Sequence, residues 1–351
     1  MKPQRFAAAT LAALFILAAC AENPTAPASN SSYAANSASF ARGGGGISSY
    51  TFTRLDVPGA TATIPSGINA GGRVVGWYVQ GGVTRGFIYD AGTWTTGIVY
   101  PGATLTQLRG IGPDGTIVGN YRNATEATTV PFHGFVLTTE GVFIPVNFPG
   151  HPNNVTQRIM PDGSLIGCYH DGDTMASMHG AIYSRGVYAS TPASTLGERD
   201  SISNFASMIN GAAPGGRRFA GQFVDTTGTT DVGRAFLLDG DVFAPFDAPG
   251  SDFTVAWDMN PAGTIVGLFE VAHTATIRGF VLDHARVVGS AVNGTHTTIT
   301  FRVVPTAGAP FDAVYTDVLG VNASGDIVGK YRETSLTGPF RGYLATRNTT
   351  E

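Results

Sequence analysis

From about residue 50 onward, short apolar runs alternate with glycine-rich polar turns, and the runs recur. One phrase, Gly-x-aliphatic-aliphatic-Gly, appears as Gly72–Gly76, Gly115–Gly119, Gly163–Gly167, Gly263–Gly267 and Gly325–Gly329, with a degenerate copy at Arg217–Gly221. A second phrase follows each: a basic residue, a small one, usually an aromatic, then an aliphatic. It begins at Arg85, His133, His179, Arg234, Arg278 and Arg341. The closing glycines of the first phrase lie 43, 48, 54, 46 and 62 residues apart. Spacing of that order is the mark of blades or solenoid turns, each a single supersecondary unit.

Each unit reads as four strands. A first strand ends at a turn such as Gly67-Ile68-Asn69, and a polar link such as Pro113-Asp114-Gly115 leads into the apolar second. The third carries the basic phrase; the fourth, such as Thr93–Val99 or Val142–Phe148, closes at Pro-Gly. Apolar runs of this length suit strands covered on both faces, and glycines inside them suit close backbone approach. The chain ends are complementary. Phe52–Gly59 is a fourth-strand phrase without its partners, and Arg341–Arg347 is a third-strand phrase without its fourth. Pairing them would hide two exposed edges. The expectation is an all-β fold, a six-bladed β-propeller of four-stranded blades over 51–347, with the N-terminal strand joining the last blade and 348–351 as a tail.

The phrases Asp56-Val57-Pro58-Gly59-Ala60, Ser66 to Tyr78 and Arg85 to Asp90 resemble the extracellular HAF-repeat family, named for a His-Ala-Phe step in its third strand. The likeness covers 50–347 and is strongest in units one, two, five and six. Here Arg or His precedes Gly more often than His precedes Ala; unit four (187–240) is degenerate, and Arg286–Pro310 reads as an inserted hairpin. The resemblance implies an exported, propeller-like repeat protein with no established reaction.

The first fifty residues have another character. Met1–Arg5 is a short basic stretch and Phe6–Ala19 an apolar run of 14 residues. That is too short to span a bilayer and suits the core of a secretory signal. It ends in Leu17-Ala18-Ala19-Cys20, which resembles the lipobox of bacterial lipoproteins. The resemblance implies removal of 1–19, acylation of Cys20 and, with Ala21 next, delivery to the outer membrane. Residues 20–50, rich in Ala, Ser, Asn and Gly, read as a flexible tether spanning ~30 Å on average.

Composition narrows the chemistry. Glycine counts 47 of 351 residues and charged residues 13%, about half the charge usual for a soluble domain. Helical bundles and coiled coils are excluded, while 21 Phe and 12 Tyr exclude wholesale disorder. The formal charge is −4, and without Lys2 and Arg5 nineteen basic residues face twenty-five acidic ones, or −6. No basic cluster offers a nucleic-acid footprint. No histidine pair has HxxxH or HExxH spacing, no GxSxG occurs, and the Asp-Gly turns lack the tryptophan of sialidase-type repeats. His170 to Asp173 lacks the alternating ligands of a calcium loop. Cys168, inside an apolar strand, reads as an inert buried thiol, and Asp56, Asp247 and Asp312 read as turn formers.

No cofactor, metal or catalytic residue is expected, and the chain is expected to be monomeric. The function expected is a surface-tethered, non-catalytic binding or scaffold propeller, contacting the membrane only through its lipid and taking an extracellular glycan or protein. The competing expectation is a hydrolase of glycans or esters with its site at the mouth of the central channel. The candidate ligand residues are Arg85, His133, His179, Arg234, Arg278 and Arg341, which share one repeat position and would form a basic collar at one height. The alternative for each is a bond to a nearby carboxylate or carbonyl.

Overall fold

Among the described residues every regular element is a β-strand. The computed structural model describes residues 50–126, 132–151, 153–170, 178–184, 187–190, 207–225, 232–272, 274–300, 302–303 and 311–348. Cys20, the signal 1–19 and the tether before Tyr50 lie outside the described residues.

In the first repeat, Ala62–Ile68, Val74–Gln80, Val83–Asp90 and Thr93–Ile98 pair in order, each antiparallel to the one before. The second repeats this with Ala103–Ile111, Ile117–Asn123, His133–Leu137 and Phe143–Val146. The third uses Asn153–Ile159, Leu165–His170, Met178–Ser184 and Val187–Ser190. The fourth uses Ser207–Ala212, Arg218–Asp225, Val232–Asp239 and Val242–Phe246. The fifth uses Ser251–Met259, Ile265–Val271, Ile277–Val288 and Ala291–Ile299. At the C-terminus Tyr315–Val321, Ile327–Arg332 and Arg341–Arg347 pair likewise, and the place beside the last is taken by Tyr50–Arg54. Single parallel bridges, Thr84 with Leu105 and Ile277 with Tyr315, merge neighbouring repeats, so two sheets hold eight strands and two hold four.

Burial grades outward along this order. Ala62–Ile68 and Tyr315–Val321 are buried throughout, whereas no residue of Thr93–Ile98 is buried. The first strands touch one another in chain order, and the last of them touches the first, so they form a closed ring about a central axis. Second strands are apolar on both faces because the sheets pack face to face. The closing glycine of the recurring phrase is imposed by that crowding. A Cβ at Gly76 would sit 2.2 Å from the Ile64 carbonyl oxygen and 2.8 Å from the Phe87 ring. No side chain fits there.

The chain ends meet in antiparallel register, Tyr50 opposite Arg347 and Arg54 opposite Tyr343. Phe52 is buried in a cluster with Tyr343 and Val281, and the Leu55 N–H donates to the Gly342 carbonyl at 2.9 Å. The excess length near 286–310 was expected as an inserted hairpin. Much of it instead lengthens the third-to-fourth hairpin of repeat five, whose ladder runs from Gly279–Ile299 out to Val288–Ala291 past a bulge at Asp283–Arg286. A short pairing of Arg302–Val303 with Phe311–Asp312 follows.

Candidate functional site

The six basic residues of the third strands hold one register. Each lies opposite an aromatic of the second strand: Arg85 opposite Tyr78, His133 opposite Tyr121, His179 opposite Tyr169, Arg234 opposite Phe223, Arg278 opposite Phe269 and Arg341 opposite Tyr331. The third strand is two places out from the axis, roughly 10 Å at ordinary strand spacing. The residues therefore do not line the central ring.

Five of them make polar contacts and His179 a ring contact. Arg234 grips Asp247 through Nε at 3.0 Å and Nη2 at 2.7 Å, and reaches Asp225 through Nη1 at 3.2 Å. The Asp247 hydrogen bonds hold its pKa above the usual arginine value. His133 Nε2 lies 2.6 Å from Glu126 Oε1. Burial works against the Glu126 charge, yet bonds from His133 and Asn123 hold its carboxyl below the usual range. Arg278 donates to the Ile277 and Ala313 carbonyls at 3.1 and 2.9 Å, and burial pulls its guanidinium down against Asp312. Arg85 reaches the Gln80 carbonyl at 3.3 Å, Arg341 lies 3.9 Å from Asp56, and the His179 ring stacks on Tyr169 with centroids 5.0 Å apart.

Asp56 and Asp247 thus do more than shape turns. Asp56 also accepts the Gly342 N–H at 3.1 Å, and Asn147, at the same repeat position, accepts the Gly134 N–H at 3.2 Å. An acceptor just past the fourth strand fastens the start of the third. The repeat spacing carried this signal in sequence, since Asp-x-Pro-Gly and Arg-Gly-Phe recur together.

At the opposite ends of the sheets, where first strands turn into second, the axis holds a different constellation. Each first strand carries a register shift at one place: Pro65–Gly67, Leu108–Gly110, Thr156–Arg158, Ile209–Gly211, Ala256–Asp258 and Val318–Gly320. Bulges re-aim the backbone, and here they crowd it around the axis. A Cβ at Gly211 would meet Met259 N at 2.4 Å, and one at Gly110 the Gln157 carbonyl oxygen at 2.8 Å. Four of the six positions are glycine. The other two are Arg158 and Asp258.

Arg158 extends across the ring and is 9% exposed. Nη1 donates to the Arg109 and Gln157 carbonyls at 2.9 and 2.8 Å. Nη2 donates to the carbonyls of Trp257, at 3.3 Å, and of Leu319. Nε lies 3.1 Å from Asp258 Oδ1. Asp258 in turn accepts the Met259 N–H at 2.9 Å on Oδ1 and the Val321 N–H at 3.1 Å on Oδ2. Burial raises the Asp258 carboxyl above the usual range, against the pull of Arg158 and these two N–H groups. One guanidinium thus gathers carbonyls from repeats two, three, five and six. The bulges turn these acceptors toward one another, and a fixed cation neutralises them.

Above this pair opens a cavity of about 140 Å³ to which all six first-strand ends contribute. Its floor is Arg158 and Asp258, and its wall includes Ile68, Ile111, Ile159, Met160, Met259 and Val321. Its rim is one repeat position, occupied in turn by Ala70, Pro113, Pro161, Pro214, Pro261 and Ala323, all six exposed. Hydrogen bonds stitch one side, Asn260 Nδ2 to the Asn322 carbonyl at 2.9 Å and Asn322 Nδ2 to the Asn69 carbonyl at 3.3 Å. On the other side Gly112, Met160 and Ala213 stand where those asparagines do. The sequence reading missed this site because its residues differ between repeats, and the reading followed what was shared.

Cys168 is buried, with Sγ 3.6 Å from His170 Nε2. Among the described residues no group of three His, Cys, Asp or Glu is placed to hold a metal ion, and no helix is long and apolar enough to cross a membrane.

No protein-family model and no curated protein sequence matches the chain. Its fold is similar to TolB from Acinetobacter baumannii at 14% identity and a TM-score of 0.43, over 78% of this chain and 63% of that one. The chain thus spans less than two thirds of that TolB. It is similar to the β-propeller domain of the trilobed protease from Pyrococcus furiosus at 11% identity and a TM-score of 0.41, over 82% and 98% of the two chains. It is likewise similar to virginiamycin B lyase from Staphylococcus aureus at 11% identity and a TM-score of 0.41, over 86% and 100%. The chain is all-β and its structural neighbours are β-propeller proteins; at these identities and TM-scores the likeness assigns it no activity.

Proposed function

We propose that the protein is an exported six-bladed β-propeller, tethered to the outer membrane through acylated Cys20, that binds a ligand at the axial mouth without transforming it. Splitting the two eight-stranded sheets at their single parallel bridges leaves six antiparallel groups of four, which supports the blade count. The observation that carries binding is the 140 Å³ mouth, whose wall includes Ile68, Ile111, Ile159, Met160, Met259 and Val321 over the Arg158–Asp258 ion pair. Its one carboxylate, Asp258, already accepts two N–H groups and faces Arg158, which suits a structural floor. A hydrolase at this mouth would need an acid or base free to exchange a proton with substrate. On the other side of the disc His133, Arg234 and Arg341 lie beside carboxylates while Arg85 and Arg278 donate to carbonyls, which favours a fastening role for them over anion capture.

The tether has its own test. Cys20→Ser should move the protein from the membrane fraction to the soluble one; retention after a carbonate wash would refute the anchor.

For binding, full-length protein is screened by thermal shift against soluble oligosaccharides and short peptides. Ala323→Trp, on an exposed turn at the rim, covers the mouth. A ligand of the mouth should raise Tm in the wild type, fail to do so in the variant, and keep its mass after prolonged incubation. A ligand that is cleaved, or that stabilises the variant equally, would overturn non-catalytic axial binding.

A further inference from the structure

We propose that the axial mouth takes an aromatic side chain of a polypeptide, flanked by a lysine or arginine. This rests on the binding reading above and specifies its ligand.

Size comes first. A cavity of about 150 Å³ lined by aliphatic side chains is enough to hold a benzene ring, and this one measures about 140 Å³. It far exceeds the share of one water, about 30 Å³. A single aromatic ring fits.

The wall chemistry agrees. Both terminal nitrogens of Arg158 and both oxygens of Asp258 are engaged by the backbone, and the two charges face each other 3.1 Å apart, so the floor is largely committed and contact area dominates what it offers an entering group. Met160 and Met259 flank the space, and methionine sulfur packs well against ring edges. Four exposed prolines on the rim extend the apolar surface outward, where the chain on either side of an inserted ring would lie. An exposed apolar rim around a pocket is the usual mark of an interaction site.

Charge selects the flank. Asp114 and Asp162 directly follow rim prolines in repeats two and three, and both are exposed. Both cap local turns: Asp114 receives the Thr116 N–H at 3.0 Å on Oδ1 and the Thr116 hydroxyl at 2.8 Å on Oδ2, and Asp162 receives the Ser164 N–H at 3.0 Å on Oδ1. Neither forms an ion pair among the described residues. A cation next to the inserted ring meets two carboxylates on the side where the asparagine stitching is absent. The chain's own net charge of −4 acts in the same direction.

The protein contains its own reporters. Of six methionines, Met160 and Met259 line the mouth while Met208 is buried away from it with Val155 and Cys168. Full-length protein labelled at methionine methyls is titrated with acetyl-Lys-Phe-Lys-amide, acetyl-Glu-Phe-Glu-amide, acetyl-Lys-Ala-Lys-amide and cellotetraose. The Lys-Phe-Lys probe should shift Met160 and Met259 and leave Met208 in place. The Glu-flanked probe should bind at least tenfold more weakly, with that gap closing in Asp114→Asn/Asp162→Asn, and the alanine probe should not shift them. Equal binding of the Lys- and Glu-flanked probes would overturn the charged flank, and equal binding of the alanine probe would overturn the ring. Shifts with cellotetraose alone would overturn the peptide inference and leave the binding reading standing. Silence of both methyls to every probe, at concentrations where Ala323→Trp also changes nothing, would overturn this inference; ligands from the thermal screen then judge the binding reading separately.

Discussion

Replacing Arg158 by methionine is expected to cost about 3–5 kcal/mol, the range for breaking a buried ion pair by removing one partner. The loss has two parts. Asp258 keeps its backbone donors but loses the cation 3.1 Å away. The Arg109, Gln157, Trp257 and Leu319 carbonyls lose the guanidinium they share. Unfilled acceptors turned toward one another in a low-dielectric ring repel, and methionine offers them nothing. Urea denaturation of Arg158→Met, Asp258→Leu and the double variant measures this. The double variant should be less destabilised than the sum of the singles, since it leaves no lone buried charge. It should not return to wild type, because the carbonyls remain unfilled. An Arg158→Met protein within about 0.5 kcal/mol of wild type, the scatter of ordinary surface changes, would show that the pair does not hold the axis together.

Removing residues 51–58 should be at least as damaging. Phe52 and Leu55 are 4% and 2% exposed, and each buried side chain of this size is worth about 1.5–3 kcal/mol. The deletion also strips the pairing from Arg341–Arg347, exposing a strand edge open to aggregation. It removes Asp56, which holds the Gly342 N–H and faces Arg341. Together these losses rival the whole stability of an ordinary domain, about 5–15 kcal/mol. Because a loss of that size leaves little folded protein to measure, Phe52→Ala supplies the graded version, with an expected loss of about 3–5 kcal/mol. Equal melting temperatures for the truncated and full-length proteins would refute a stabilising role for the terminal strand.

Much of the architecture was legible beforehand, for a reason visible at Gly76. Packing sheets face to face forbids a side chain there, and the same packing recurs, so the glycine recurs and can be counted. The complementarity of Phe52–Gly59 and Arg341–Arg347 was readable in the same way, as a fourth-strand phrase and a third-strand phrase each missing its neighbour. The basic collar was readable as a register. Its surroundings were not, because the sequence does not say that Asp247 lies under Arg234 or that the third strand stands two places from the axis.

The sequence by itself determined the repeating unit, the strand order within it and the residues that must be small, because those follow from local pattern and from packing that every repeat shares. Only the tertiary structure decided what occupies the axis. Arg158 and Asp258 sit 100 residues apart in repeats whose pattern has glycine at that place. In the sequence they look like lapses from the repeat. Once the six bulges converge, those two departures become a cation and its counter-charge in a ring of carbonyls, and the cavity above them exists because the ring is closed beneath it.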